Sequence, residues 1–283
     1  MQRLLLTGST GFIGSQILSE FSKDYIIFIT SRNKKKKYFK SKNINEINFQ
    51  NYDELNRNLK KIKIDVIIHC ATHYVKNHTY KDIKKLVESN ILFGNIILEN
   101  IERMQVKKII NFSTVWENYN GKKDNLFNLY ATYKKSFSFL IKYYQKKHPK
   151  ANFYNLMISD TFGKSDKRKK IINVIRQNYK DNKTTSIASK KLYLNLLNIS
   201  DITNAIRLIV EKKIKSGTYL LKNKNNFRID KVIKEFNKNS KKKIKIRWLS
   251  KKTINEKIFD FKKLKHWKPE NSNIQKISEL IKT

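Results

Sequence analysis

The chain is poor in the residues that staple, stiffen or loosen a fold. A single cysteine, Cys70, in 283 residues excludes an intramolecular disulfide framework and fits a reducing compartment. With 2 prolines and 7 glycines, collagen-like and proline-rich architectures are excluded, and no disordered linker or internal repeat is visible. No run of about 18 apolar residues is present to cross a membrane, and no signal-peptide pattern occupies the N-terminus, so a soluble cytoplasmic protein is expected. Acid is scarce too. Against 62 Lys+Arg stand 23 Asp+Glu, a net charge of +39 and a pI of about 10.1. That balance ordinarily points to nucleic acid or an anionic membrane surface. Here the bases are spread over nearly every polar segment beside abundant Asn, Ile, Tyr and Phe, with Lys34 to Lys37 the densest run. A solvated basic surface without a specific nucleic-acid or membrane partner is therefore the expectation.

Scarcity makes the placement of glycine informative. Three of the seven lie in one turn, where the apolar run Leu4-Leu5-Leu6 passes through Thr7-Gly8-Ser9-Thr10-Gly11-Phe12-Ile13-Gly14 into a helical pattern. A strand entering a helix through such a turn is a phosphate cradle: Gly8 makes the tight turn, Gly11 lets the backbone approach a pyrophosphate, and Gly14 lets helix pack on strand. Gly8, Thr10, Gly11, Phe12, Ile13 and Gly14 are accordingly expected to bind a dinucleotide.

The rest of the first half alternates apolar strands with amphipathic segments. Strands are expected at about 3–7, 25–30, 44–48, 64–70, 107–112 and 152–158, and helices at about 12–22, 51–60, 80–103 and 128–147. This is the pattern of an α/β, Rossmann-type doubly wound parallel sheet, whose functional residues gather at the carboxyl ends of the strands. Beyond about residue 160 the rhythm shortens to Ile171–Tyr179, Leu192–Leu197, Ile202–Val210, Thr218–Leu221, Ile229–Phe236 and Ile244–Trp248. The expected organisation is a nucleotide-binding domain over 1–160 and a smaller C-terminal α+β substrate lobe over 161–283, some of whose elements return to the sheet.

A Tyr-x-x-x-Lys pair sets phenol and ammonium one helical turn apart, where the lysine charge favours phenolate and makes the tyrosine a usable general acid or base. The spacing occurs at Tyr38, Tyr80, Tyr119, Tyr130, Tyr143 and Tyr179, so context must choose. Only Tyr130 with Lys134 opens a long amphipathic helix directly after a strand ending in hydroxyls, Asn111-Phe112-Ser113-Thr114. His69 and His78 have no partners at metal-ligand spacing, and no metal site is expected.

Together, Gly8/Gly11/Gly14, the segment His69-Cys70-Ala71-Thr72, Asn90, Thr114, Tyr130 with Lys134, and the closing Phe261-Lys262-Lys263-Leu264-Lys265-His266-Trp267-Lys268-Pro269-Glu270 resemble the extended short-chain dehydrogenase/reductase (NAD-dependent epimerase/dehydratase) superfamily over nearly the whole chain. Asn111 to Tyr119, Asn128 to Lys134, Asp160-Thr161-Phe162-Gly163 and the gap of 16 positions from Thr114 to Tyr130 are similar to the CDP-abequose/CDP-paratose synthase type of nucleotide-sugar 4-ketoreductase. Phe112, Ser113, Lys164, His73 and Val75 depart from the pattern.

The resemblance implies reduction of the 4-keto group of a nucleotide-activated deoxyhexose in surface-polysaccharide (O-antigen) sugar biosynthesis. Thr114, or Ser113 in its place, would hydrogen-bond the keto oxygen. Tyr130 would donate the proton and Lys134 would hold the nicotinamide ribose, with Ala71 and Thr72 also lining the cofactor. Ser113, Trp116, Asp160 and Arg168 would meet the substrate, Arg168 at its diphosphate; Trp116 can equally be read as packing. A homodimer through the helices after strands four and five is implied, with Ile83, Leu86, Ile91, Phe93 and Phe137 to Leu140 as a candidate face, although core packing explains these residues too.

The end of the second strand, Ser31-Arg32-Asn33, has no acid to bind adenosine ribose hydroxyls, which favours NADP over NAD, Arg32 meeting the 2′-phosphate unless it merely starts the basic loop. Val115 and Trp116 after Thr114 replace the acidic pair of a dehydratase, and no Cys/His pair suits a 3,5-epimerase. A 4-epimerase holding NAD is the alternative enzyme, and a non-catalytic RNA-binding protein on a reductase scaffold the alternative of another class.

Overall fold

A computed structural model of the chain describes residues 1–32 and 41–282. The Lys34–Lys37 run and the Tyr38 pattern lie outside the described residues. The order of elements is β1 (Arg3–Thr7), α1 (Phe12–Phe21), β2 (Ile26–Ser31), β3 (Ile44–Asn48), α2 (Tyr52–Leu59), β4 (Val66–His69), α3 (Tyr80–Val87), α4 (Phe93–Glu99), α5 (Ile101–Met104), β5 (Lys108–Thr114), α6 (Leu129–Lys147) and β6 (Asn152–Ile158). The seven-stranded sheet runs β3-β2-β1-β4-β5-β6 and ends on the strand Gly217–Leu221. Its pairs from β3 to β5 are parallel.

β1 explains why an unbroken apolar run, and not alternation, marks a central strand. Leu4 sits opposite Ile27 and Val66, Leu5 opposite Phe28 and Ile67, and Leu6 opposite Ile29 and Ile68. All three leucines are fully buried, because helices cover both faces. The order reverses between β1 and β4, so their carboxyl ends flank the crevice typical of doubly wound sheets. Behind it lies a core containing Leu5, Phe28, Ile67, Phe93, Ile97, Ile109, Phe137, Ile141 and Phe153. Leu86, Phe93 and Phe137, expected on a dimer face, are thus core residues, whereas Ile83 is partly exposed and Phe139 exposed. No helix among the described residues is long and apolar enough to cross a membrane.

The expected helix over 80–103 is broken in two places. Glu88–Leu92 forms a π-helical turn between α3 and α4. This wide turn places the buried Asn90 where its Nδ2 donates to the His73 carbonyl at 2.9 Å, while its Oδ1 accepts from the His73 amide at 2.8 Å and Thr72 Oγ1 at 2.7 Å. At Asn100 the backbone leaves the helix (φ −95, ψ 5), and its side chain donates to the Ile96 carbonyl and Asn56 Oδ1, both at 2.9 Å. Local amide bonds of this kind compete with helix propagation.

The chain divides into two compact units. The first joins Met1–Met157 to Ile206–Leu220 and Phe259–Lys263; the second comprises Ile158–Ala205, Leu221–Ile258 and the segment from Leu264 on. The second unit holds three small sheets: Asp160–Phe162 with Leu196–Asn198, Lys191–Leu194 between Phe227–Arg228 and Thr253–Asn255, and Thr185–Ile187 with Ile246–Trp248. Helices Ile171–Lys180, Ile229–Lys238 and Ile274–Lys282 close its core around Phe162, Ile175, Val232, Phe236 and Ile277.

Within that unit the Trp267-Lys268-Pro269-Glu270 segment is clamped by Asp201. Trp267 Nε1 donates to the Asp201 carbonyl at 2.8 Å, and the buried carboxylate accepts from the amides of Glu270 (3.0 Å) and Asn271 (2.9 Å) and from the Ser272 hydroxyl. Turning one carboxylate oxygen into an NH2 opposes donor to donor. Asp201→Asn is expected to lower stability by about 3 kcal/mol, since leaving buried donors unmatched costs about 1–3 kcal/mol each. A drop in the urea midpoint at unchanged slope is the check.

Candidate active site

The glycine turn has its shape forced by backbone contacts. Gly8 has φ +68, and a Cβ there would lie 2.7 Å from the Ala71 nitrogen; a Cβ on Gly14 would lie 2.1 Å from the Gly8 oxygen. Both positions therefore exclude side chains. The Gly11 amide donates to the Gly8 carbonyl at 2.9 Å, and Gly11 caps α1 in extended conformation with no side-chain bond and no acid in the first turn. The first turn of α1 thus carries no acid of its own against the helix's positive end, which suits a phosphate cradle. Thr10 is exposed, and Phe12 and Ile13 are partly buried.

Around the turn, Thr7 Oγ1 lies 3.0 Å from His69 Nδ1 and accepts from the Ala71 amide at 3.1 Å, locking the end of β4 to the end of β1. Ser31 is buried at the end of β2, and the exposed Arg32 donates to the Tyr52 hydroxyl at 3.4 Å. These groups suit a dinucleotide: a cradle a Cβ would fill, an open helix end, and a cation after the second strand.

β5 ends in the two candidate hydroxyls. Ser113 is buried, with no hydrogen-bond partner for its Oγ among the described residues; Thr114 Oγ1 accepts from the Trp116 amide at 3.3 Å and starts the 3₁₀ segment Val115–Gly121. Asn128 caps α6, its Oδ1 accepting from the Ala131 amide at 3.0 Å. That cap sets Tyr130 in the first turn and Lys134 one turn on, with α6 packed against β5 and the 3₁₀ segment. The Tyr130 ring meets Tyr74 edge-on at 5.1 Å, Tyr74 meets Trp116 at 5.9 Å, and Trp116 meets Phe127 at 5.1 Å. Trp116 therefore belongs to an aromatic wall beside the tyrosine. Tyr74 was not legible beforehand, because it lies in a loop without periodicity.

Lys134 is buried, which pulls its ammonium down to about 8, against the opposing influence of Glu117 and Cys70. Burial also pushes the Cys70 thiol up. His69 lies between Phe93 and Phe137 and is pulled down to about 3, by burial first and then by Lys134, so it is a neutral packing group. Tyr80, Tyr119 and Tyr143, the competing starts of the lysine spacing, are exposed. Sequence reasoning also missed Glu117. It is buried, its Oε1 has no partner among the described residues, and burial pushes it up to about 7 in spite of Lys134 and Lys135.

The second unit holds the other two candidates. Asp160 pairs with Lys170 at 2.7 Å. Arg168 is gripped by the buried Asp166, Nε to Oδ1 at 2.7 Å and Nη2 to Oδ2 at 2.9 Å, and Nη2 also donates to Thr161 Oγ1 at 2.6 Å.

Residues 4–221 match the model of the NAD dependent epimerase/dehydratase family. Two curated relatives are named CDP-abequose synthase. The Salmonella muenchen protein is 26% identical over 77% of this chain and 73% of its own length, and the Yersinia pseudotuberculosis protein 28% identical over 74% and 73%. Among solved structures, the UDP-glucose 4-epimerase of Thermus thermophilus in complex with NAD has a TM-score of 0.80 at 15% identity, covering 99% of this chain and 98% of that one. The UDP-glucose 4-epimerase of Thermotoga maritima with UDP-glucose scores 0.79 at 16% identity over 99% and 98%. At such identities the structural likeness shows the fold.

Burying a charged lysine has a measurable cost. Because the folded value of Lys134 is depressed to about 8 from 10.5, its charge destabilises the fold below about pH 8, and that penalty fades as pH rises toward the unfolded value. Lys134→Met is therefore expected to raise the melting temperature at pH 7, with the gain shrinking by pH 10. Thermal unfolding at the two pH values checks both sign and window.

Proposed function

The chain belongs to the NAD dependent epimerase/dehydratase family, and we propose that it catalyses NADPH-dependent reduction of the 4-keto group of a nucleotide-activated deoxyhexose, a sugar destined for surface polysaccharide. The observation that carries this reading is Tyr130 in the first turn of α6, with Lys134 buried one turn below and the Thr114 hydroxyl on the strand that α6 packs against. The two relatives named CDP-abequose synthase support it independently.

In this reading Gly8, Thr10, Gly11, Phe12, Ile13, Gly14, Ala71 and Thr72 hold a nicotinamide dinucleotide, which supplies hydride when bound. Thr114 donates a hydrogen bond to the ketone oxygen and fixes its place; Ser113, buried behind it, is the second hydroxyl. Tyr130 passes its phenolic proton to that oxygen. Lys134, charged below about pH 8, stabilises the phenolate left behind and so lowers the cost of the transfer. Arg32 pairs with a 2′-phosphate and Ser31 hydrogen-bonds it, which selects NADPH. Val115 and Trp116 offer no acid–base pair for dehydration. Trp116 gives an aromatic face to sugar or base. In the second unit, Arg168, held by Asp166, is a rigid cation of the kind that suits a diphosphate, and Asp160, paired with Lys170, is the other substrate-binding candidate. Partly or fully exposed Tyr80, Ile83 and Val87 of α3 and Phe139 and Tyr143 of α6 suit a homodimer face.

A panel of nucleoside-diphosphate 4-keto-6-deoxy and 3,6-dideoxy sugars with NADPH tests the reading through loss of reduced-nicotinamide absorbance. At least one panel member is expected to be reduced. Tyr130→Phe should slow turnover about 10²- to 10⁴-fold with cofactor affinity within a few fold, whereas Tyr119→Phe and Tyr143→Phe stay near wild type. Interconversion of C4 epimers with no net NADPH consumption would point to the epimerase instead. A protein inert on the whole panel that binds RNA selectively at 200 mM salt would be the non-catalytic alternative.

Arg32→Asp should weaken NADPH binding about tenfold to a hundredfold, the worth of a charge-assisted contact of about 1.5–3 kcal/mol, and leave NADH unweakened. Fluorescence titration with both cofactors measures it, and equal wild-type affinity for the two would refute the 2′-phosphate role.

A further inference from the structure

Acidic side chains are outnumbered 23 to 62 in this chain, and surface positions are plentiful, yet Glu117 is only 2% exposed. It lies three residues after Thr114, in the 3₁₀ segment against which α6 packs. The Thr114 amide hydrogen-bonds its carboxyl, while Oε1 has no partner among the described residues. A buried, half-satisfied carboxyl is costly unless a charge answers it.

The surroundings identify that charge. Glu117 lines a cavity of about 80 Å³ together with Ser138, Asn155, Lys135 and Lys142. Phe139, Met157, Thr218 and Phe261 share the lining, which makes the wall mainly apolar and leaves few polar groups to answer the carboxyl. Lys135, from α6, favours the carboxylate but already pairs with Asp124 at 2.8 Å, and Asp124 itself opposes the carboxylate. The largest favourable charge acting on Glu117 is Lys134. Seen from the lysine, His69 at the end of β4 and Cys70 just after it are both kept neutral by burial. Among the described residues acting on Lys134, Glu117 is then the one that carries negative charge near neutral pH.

We propose that Glu117 is a positioning residue for the reaction, the counter-charge that keeps the buried Lys134 in its ammonium form beside Tyr130. The inference rests on the reading of Tyr130 and Lys134 as the proton-transfer pair, and it gives the basic end of that pair an acidic partner on the segment that α6 packs against. Its consequence is directional. With Glu117 ionised, Lys134 keeps its proton to higher pH; with Glu117 neutral, the lysine loses it sooner.

The test uses the whole chain with isotope-labelled lysine, the Lys134 signal being assigned by its loss in Lys134→Arg. In the wild type that signal should titrate near pH 8 and show a second, smaller inflection near pH 7, where Glu117 ionises. Glu117→Gln keeps the volume and an acceptor for the Thr114 amide but loses the charge. It should move the Lys134 midpoint down by about one pH unit, and Glu117→Asp should restore it. The alkaline limb of kcat/KM for keto-sugar reduction should move by the same amount. A Lys134 midpoint unchanged in Glu117→Gln, or a wild-type titration without the second inflection, would overturn the proposal. Should Glu117→Gln fail to fold, the wild-type titration alone decides. A shifted midpoint in a protein that reduces no panel sugar would leave the charge pairing standing and remove the reductase reading.

Discussion

Everything at the site depends on one backbone-to-backbone contact, that of Gly8 with the end of β4. There is no room for a Cβ between Gly8 and Ala71, nor between Gly14 and Gly8. Close approach lets Thr7 reach both His69 and the Ala71 amide. His69 in turn packs on Phe93 of α4 and Phe137 of α6, so the glycine turn and the helix bearing Tyr130 are joined through two hydrogen bonds and a ring contact. A close-packed interior transmits such positions with little slack.

Local charge outweighs global charge at the site. Most of the +39 belongs to solvated lysines that water and salt screen within about 8–10 Å. Lys134 enjoys no such screening, and one buried carboxyl therefore matters more to it than dozens of surface cations. The same rule holds in the second unit, where the buried Asp166 holds the Arg168 guanidinium in one orientation. Exposed pairs such as Lys147 with Glu99 are worth little by comparison.

The sheet and its helices were legible because their signals are long or chemically singular. Six strands were expected within a few residues of where they lie: 3–7, 44–48 and 152–158 coincide with β1, β3 and β6, while 25–30, 64–70 and 107–112 differ from β2, β4 and β5 only at their ends. The helix at 80–103 was overextended, because periodicity does not register a π turn whose cause is the hydrogen bonding of Asn90 to a distant loop. In the second unit, strands of two to four residues such as Phe227–Arg228 and Lys191–Leu194 are too short for alternation to be read. A return of some C-terminal elements to the sheet was expected, but that they are Ile206–Leu220 and Phe259–Lys263 is a matter of packing that composition does not register.

By itself the sequence determined the class of fold, and it pointed to the glycine turn and to Tyr130 ahead of five other tyrosines with the same lysine spacing. Each is a local property: an apolar run, three glycines at a fixed interval, and a helix start next to a hydroxyl-ended strand. Only the tertiary structure decided the partners of those residues. That Tyr74 and Trp116 wall the tyrosine, that Asn90 holds the loop after β4, and that Glu117 and Lys134, 17 positions apart in sequence, are both enclosed all depend on burial. Burial decides whether a polar side chain is a solvated surface group or a charge that must be answered, and it exists only once the chain has packed.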